Sequence, residues 1–296
     1  MTTDAAPMPM NAAEPCPVCA DLSVRQPFAL RTSRGVRQWA RCPVCRSYSD
    51  CQMFDLESEV LHTRQWPWGN SEQGLQLNVR KRTMYQSVVR LLNRYAAPGS
   101  SLLDVGCSFG GFMEEAHLQG YAASGMDIVP EAVDYCRRQG FSCHVAASVG
   151  DLDIADGSLD VISALDCNYY WPNQIRELRA IRNKLRANGL LAMRVVDKSW
   201  LVTSGLALRR VAPDLSNTIC RRAVNDHRAS IPVRSLLQIL RQEQFTILYA
   251  SPAGALHQDN ASLAVKTVYA LGYLVWLVAR RYLAPGCLIL ARKQPA

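Results

Sequence analysis

Residues 100–111 read SSLLDVGCSFGG, an apolar run that passes straight into a glycine turn, and no other stretch restricts the fold as tightly. Leu102, Leu103 and Val105 suit a parallel strand buried on both faces, with Asp104 an acid near its carboxyl end. Gly106, Gly110 and Gly111 let backbone approach a ligand closely. The next apolar segment, YAASGMDI, carries Asp127 near its end, 23 residues after Asp104. An acid closing a second strand at about that spacing is placed to grip ribose hydroxyls. The pattern predicts an α/β fold with a nucleotide-type cofactor at the carboxyl ends of the strands.

The glycine spacing narrows the cofactor. A dinucleotide turn has the form G-x-G-x-x-G, in which the middle glycine admits a pyrophosphate. Here Ser108 stands at that position, within Gly106-Cys107-Ser108-Phe109-Gly110-Gly111, so a pyrophosphate is disfavoured. The run resembles instead the first motif of class I S-adenosylmethionine-dependent methyltransferases, in which a small residue often replaces the middle glycine. The resemblance covers roughly residues 77–293 and implies a Rossmann-like seven-stranded sheet with helices on both faces. It is supported by a third strand near Phe141–Ala146 and a fourth at Leu159–Leu165 after the turn Asp156-Gly157-Ser158. A helix is expected over Pro172–Ala187, where Ile175, Leu178, Ile181 and Leu185 recur at helical spacing, with Asn188-Gly189 as its left-handed stop before the strand LLAMRVV. A helix over Leu77–Tyr95 precedes the first strand, a sixth helix spans Pro232–Gln242, and strands follow at Phe245–Ala250 and Gly286–Lys293, the last of them antiparallel.

Carried over residue by residue, the resemblance implies that Asp104 helps hold the methionine end, that Gly106, Cys107 and Gly110 form the turn against the cofactor, and that Asp127 bonds the ribose. Met126 or Ile128 would flank adenine, Ser148 would meet its amine, and Asp166 would close the fourth strand beside the methyl group. Tyr169, Tyr170 and Trp171 would shape the acceptor site. The phrase Asn225-Asp226-His227 is similar to one found in zinc-ribbon members of the family, which implies His227 at the substrate end as general base or orienting group. The family's frequent Glu-His after the fourth strand is replaced here by Asp166-Cys167-Asn168, which points to a different substrate.

Two CxxC knuckles, Cys16-Pro17-Val18-Cys19 and Cys42-Pro43-Val44-Cys45, lie 22 residues apart. That spacing is close to a four-cysteine zinc ribbon, in which two tight turns present four thiolates to one structural Zn²⁺. A disulfide pair or a redox CxxC is the competing chemistry, and no export signal favours it. Cys107, Cys136, Cys143, Cys167, Cys220 and Cys287 stand in apolar contexts and are expected to be plain core residues.

The expected organisation is a disordered 1–13, a ribbon over 14–55, a linker over 56–76 containing Trp66 and Trp68, and the methyltransferase domain over 77–296. The chain has 296 residues, 49% of them hydrophobic, enough for one full α/β core and a small appendage. Of 33 basic residues 28 are Arg, and the net charge is +8, which suits either an anionic partner or an Arg-rich surface. Arg80-Lys81-Arg82 reads as a solvated helix face. Residues 261–283 are apolar but hold only 13 uninterrupted apolar positions, against the ~20 a membrane span needs. They predict a helix capping the core or the mouth of the site, with peripheral membrane contact as the alternative. A cytoplasmic location is expected. The reading is methyl transfer to a small-molecule acceptor of glycan or lipid type, nucleic acid being the less favoured partner. Its rivals are an RNA methyltransferase docking through the ribbon and Arg-rich surface, and a non-catalytic zinc-bearing scaffold.

Overall fold

A computed structural model describes residues 15–66, 69, 71–224, 226–252, 262–283 and 286–295. The expected disordered stretch 1–13, together with Trp68, lies outside the described residues. The chain begins with β1 (Pro27–Thr32), β2 (Gly35–Arg41) and β3 (Tyr48–Asp50), then α1 (Leu56–Arg64) and α2 (Ser71–Leu92). Alternating elements follow: β4 (Ser101–Val105), α3 (Gly111–Leu118), β5 (Ala122–Asp127), α4 (Pro130–Arg138), β6 (Ser142–Val145), β7 (Leu159–Leu165), α5 (Gln174–Lys184) and β8 (Leu185–Val196). The rest is α6 (Ser199–Ala207), α7 (Pro213–Val224), β9 (Ala229–Ser230), α8 (Val233–Gln242), β10 (Phe245–Pro252), α9 (Leu263–Ala279) and β11 (Gly286–Lys293).

Seven strands form one sheet in the order β10-β11-β8-β7-β4-β5-β6. The five from β8 to β6 are mutually parallel, and β11 inserts antiparallel between β8 and β10. The chain winds outward from β4 to β6 and then returns to the other side of β4. This leaves a crevice at the carboxyl ends of β4 and β7, where open α/β sheets bind ligands.

The pleat sends alternate residues of each strand to opposite cores. Leu102 faces α2 and α3 with Met84, Val88 and Phe112, whereas Leu103 faces α5 and α8 with Leu178, Ile181, Leu236 and Leu240. Burial on both faces explains why β4 is apolar with hardly a break.

β1, β2 and β3 make a second, antiparallel sheet whose fourth strand is β9, paired to β3 at Tyr48↔Ser230 and Ser49↔Ala229. Its inner residues Leu30, Trp39 and Tyr48 pack on Val202 of α6 and on Cys220 and Val224 of α7. Arg34 in the β1–β2 turn and Arg228 beside β9 both pair with Glu59 of α1, at 2.7 and 2.8 Å. The amino-terminal sheet is thus built partly from the carboxyl-terminal half of the chain.

Three boundaries differ from the sequence expectations. The stretch expected to be linker, 56–76, holds α1 and the first turn of α2, which runs Ser71–Leu92 rather than 77–95. α5 stops at Lys184 rather than at Asn188-Gly189, because Leu185 turns extended, buries fully and pairs with Leu159. Asn188, at φ +62°, therefore kinks the start of β8 instead of capping a helix, and the β7–β8 register shifts there between Leu159 and Val161. Lys81 does not lie on a solvated face: its ammonium reaches Asp166 at 3.1 Å.

Candidate functional site

The turn after β4 is held by its backbone. The amides of Gly106 and Cys107 both donate to the Met126 carbonyl of β5, at 2.8 and 3.0 Å. Gly106 (φ +74°) and Gly110 (φ +77°) are left-handed, and a Cβ on Gly106 would come within 2.9 Å of the Cys167 Cβ. Glycine at 106 is therefore required twice, for conformation and for space. Ser108, also left-handed at φ +47°, aims its amide at Asp127 Oδ2, 2.9 Å away, and Val129 donates to Oδ1 at 2.9 Å. Burial raises the Asp127 carboxyl above the ordinary carboxylate range, and these backbone amides oppose the rise.

Asp104 is also buried, and its Oδ1 accepts from the Ser163 hydroxyl at 2.7 Å. Burial pushes it up to about 7. Asp166 has the opposite character. Burial works against its charge, but ion pairs with Arg194 and Lys81 outweigh that and hold it at about 2. Two acids at the ends of neighbouring strands are thus pushed in opposite directions, a separation typical of functional sites.

One cleft gathers these groups. Asp104, Gly106, Cys107, Asp127 and Ile128 line one end, Ala146 and Ala147 border it, and Asp166, Tyr169, Tyr170 and Trp171 form the far wall. Phe54, Glu59 and Thr63 from the start of the chain complete the rim, so the segment around α1 closes the site from outside. Gly110 lies behind the turn, where a Cβ would meet the Cys136 Sγ at 3.1 Å. Ser148 is not in the lining. Its hydroxyl donates to Glu177 at 2.6 Å and accepts from the Gly150 amide.

His227 is also outside the lining. Its ring stacks on Tyr169 with centroids 3.8 Å apart and a 24° interplanar angle, and Nε2 lies 3.7 Å from Asp226. Tyr170 donates to Asp226 in turn. Burial lowers the imidazole to about 4, so it is neutral at pH 7. Sequence reasoning missed Lys81 and Arg194. The signal for the second was present, since an arginine in the middle of LLAMRVV needs a buried partner.

The four knuckle cysteines converge. All four Sγ atoms lie within 4.8 Å of one another, with Cys16–Cys45 at 3.8 Å and Cys19–Cys42 at 3.7 Å. Tetrahedral Zn–S bonds of about 2.3 Å require S–S edges of about 3.8 Å. The two turns have the same construction: Ala20 donates to Cys16 and Arg46 to Cys42, with Ala20 and Arg46 left-handed. The donor set and its spacing fit zinc. Trp66, by contrast, bonds His62 at 3.0 Å and lies outside the cleft lining.

Comparison with known proteins agrees with the fold. The profile of a family described as "Methyltransferase domain" matches residues 78–250. A ubiquinone biosynthesis O-methyltransferase of Xanthomonas campestris pv. campestris is 29% identical over 113 residues, 36% of this chain and 47% of that protein. The chain thus spans about half the length of the curated relatives it matches. A chain in the complex between the Haloferax volcanii Trm112 methyltransferase activator and the putative methyltransferase superposes with a TM-score of 0.54 at 17% identity, covering 78% of this chain and 97% of that one. The Burkholderia thailandensis 1,6-didemethyltoxoflavin-N1-methyltransferase, with bound 1,6-didemethyltoxoflavin and S-adenosylhomocysteine, gives 0.52 at 14% identity, covering 88% and 96%. At these identities the two structures speak for the fold.

The neutral His227 generates a prediction. The unfolded chain takes up a proton as pH falls through about 6.5, whereas the folded chain resists until about 4. Stability contributed by the neutral ring is therefore complete above 6.5 and lost on descent toward 4, by up to about 3 kcal/mol. In urea unfolding, His227→Phe should lose less stability than the parent protein between pH 7 and 4. Equal losses would show that His227 titrates normally.

Proposed function

The chain belongs to the methyltransferase-domain family, and from that premise we propose that it transfers the methyl group of S-adenosylmethionine to a small-molecule acceptor of lipid type. The observation that carries the proposal is the cleft at the β4–β7 switch, which joins the glycine turn and two strand-end acids to an aromatic wall. S-adenosylmethionine supplies, when bound, a methyl already activated by its sulfonium. The protein's task is then to hold the donor, align the acceptor and exclude water.

Asp127, its orientation fixed by the Ser108 and Val129 amides, would hold the ribose hydroxyls. Asp104 would hold the ammonium of the methionine end. Ile128, Ala146 and Ala147 would flank the adenine, and Asp166, held by Arg194 and Lys81, would border the methyl-transfer end. Tyr169, Tyr170 and Trp171 shape the acceptor end. His227 would be the orienting group, its neutral ring fixing Tyr169 by stacking.

Replacing Asp127 with Ala removes a two-hydroxyl contact. Charge-assisted hydrogen bonds contribute ~1.5–3 kcal/mol each, so affinity for S-adenosylhomocysteine should fall at least about tenfold in calorimetry. Unchanged affinity would refute the cofactor assignment. The acceptor class is tested by following labelled methyl groups from S-adenosylmethionine into the organic phase of a lipid extract. Label confined to the aqueous phase, or to RNA, would overturn the lipid reading.

The cysteine module binds one structural Zn²⁺ through Cys16, Cys19, Cys42 and Cys45. The three short strands β1–β3 bury little among themselves and borrow their core from α6 and α7, so the metal would fix the two knuckles. Protein purified under reducing conditions without added metal should carry one zinc per chain, and Cys42→Ser should lose it. A zinc content near zero in the parent protein would exclude the assignment.

α9 favours the lipid type. Leu263, Leu271, Leu274 and Val278 fall on one helix face and are 55–81% exposed, the reverse of an ordinary surface helix. Tyr273 and Trp276 pair beside them, and Arg280 lies over the Trp276 ring at 4.8 Å. All three charged residues within 262–283, Lys266, Arg280 and Arg281, are basic. Among the described residues no helix is long and apolar enough to cross a membrane. We assign α9 to peripheral contact with an anionic bilayer, the aromatic and basic rim at the headgroups. Vesicles containing anionic lipid should sediment the protein, and a Leu271→Glu, Leu274→Glu variant should stay in the supernatant. Sedimentation equal for both, or self-association through α9 instead, would refute the contact.

A further inference from the structure

Three cysteines expected to be separate core residues meet behind the cofactor turn. Cys107 belongs to the turn itself, Cys136 to the end of α4 and Cys143 to β6. All three are buried, and their Sγ atoms lie within 4.8 Å of one another. Met113 of α3 brings a fourth sulfur, with Sδ 3.9 Å from the Cys143 Sγ. The space for them exists because β5 has glycine at 125. A Cβ there would lie 2.5 Å from Met113 Sδ and 2.9 Å from Cys107 Sγ.

An all-sulfur donor set of three thiols and a thioether is the chemistry of a soft cation. Zinc prefers four strong ligands in a tetrahedron, and a thioether is a poor fourth. We propose that Cys107, Cys136 and Cys143 form a second metal site, distinct from the paired knuckles, which takes one Cu(I) ion with the Met113 thioether alongside. As three S–Cu bonds form, the thiols give up their protons to solvent. Copper enters and stays as Cu(I), so no electron is transferred.

Occupancy would be felt in the cleft. The Cys136 thiol donates to the Ser108 carbonyl at 3.3 Å, a tie between α4 and the turn. A metal-bound thiolate has no proton to donate, so copper removes that tie and weakens cofactor binding. By linkage, the cofactor weakens copper binding by the same factor. This coupling, though not the metal site itself, rests on the cofactor reading above.

The test is anaerobic titration of the full chain, as purified, with Cu(I) in the presence of bicinchoninate as competitor. Copper and zinc are measured after desalting, copper ligation by X-ray absorption, and S-adenosylhomocysteine affinity by calorimetry with and without copper. One copper should be retained per chain, bound by sulfur, with zinc content unchanged. Cofactor affinity should fall by about two- to tenfold, the span of one hydrogen bond. Cys143→Ser and Cys136→Ala, confirmed as folded by circular dichroism, should each lose the copper. Copper retained equally by both folded variants, or gained only as zinc is released, would overturn the proposal. Copper retention without S-adenosylhomocysteine binding in either form would sink the cofactor reading and leave the metal site standing, whereas cofactor binding without copper retention would do the reverse.

Discussion

The site depends on two backbone hydrogen bonds from adjacent residues, Gly106 and Cys107, to the single carbonyl of Met126. They bind the turn after β4 to the end of β5. Once they form, the Ser108 amide can point only at Asp127, and Asp127 is committed to one orientation beside the cleft. The left-handed conformations at 106, 108 and 110 follow from this geometry, since the chain must double back within five residues to start α3. A substituent at 106 would meet Cys167, two residues past the end of β7, so the chain leaving the neighbouring strand also constrains the turn.

Charge placement follows the same economy. Asp166 is left-handed at φ +61° where β7 ends, and it would be costly as an isolated buried anion. Arg194 from β8 and Lys81 from α2 approach it from two different layers, so the ion cluster joins the sheet to the helix covering it. Removing Asp166 would leave two cations facing each other uncompensated in a low-dielectric setting. Asp104, one strand away, accepts from the Ser163 hydroxyl, and burial pushes it up to about 7.

Much of this was legible in the sequence because it is local. The strands Leu159–Leu165 and Gly286–Lys293, expected from the methyltransferase resemblance, have those same bounds, and the paired knuckles announced their convergence. What was not legible depends on contacts between remote elements. The stop of α5 at Lys184 is decided by Leu185 pairing with Leu159, a contact that outweighs the left-handed preference of Asn188-Gly189. Lys81 looked solvated because its partner lies 85 positions along the chain. Cys107, Cys136 and Cys143 come from a turn, a helix and a strand, and only the missing side chain of Gly125 brings them together. Ser148 and His227 had the right neighbourhood but the wrong depth, one capping a turn and the other behind Tyr169.

The pairing of β3 with β9 sets an order of events during synthesis. Ser49 finds its partner only when residue 229 has left the ribosome, roughly 10–40 s later at about 5–20 residues per second. Until then β3 presents an open edge, and the apolar side chains of Leu30, Trp39 and Tyr48 lack the helices that cover them. The segment from β1 to β3 therefore emerges well before it can be completed. The four knuckle cysteines all precede β3, so their thiols can meet before any of these long-range contacts exist and shelter the waiting edge by local contacts alone.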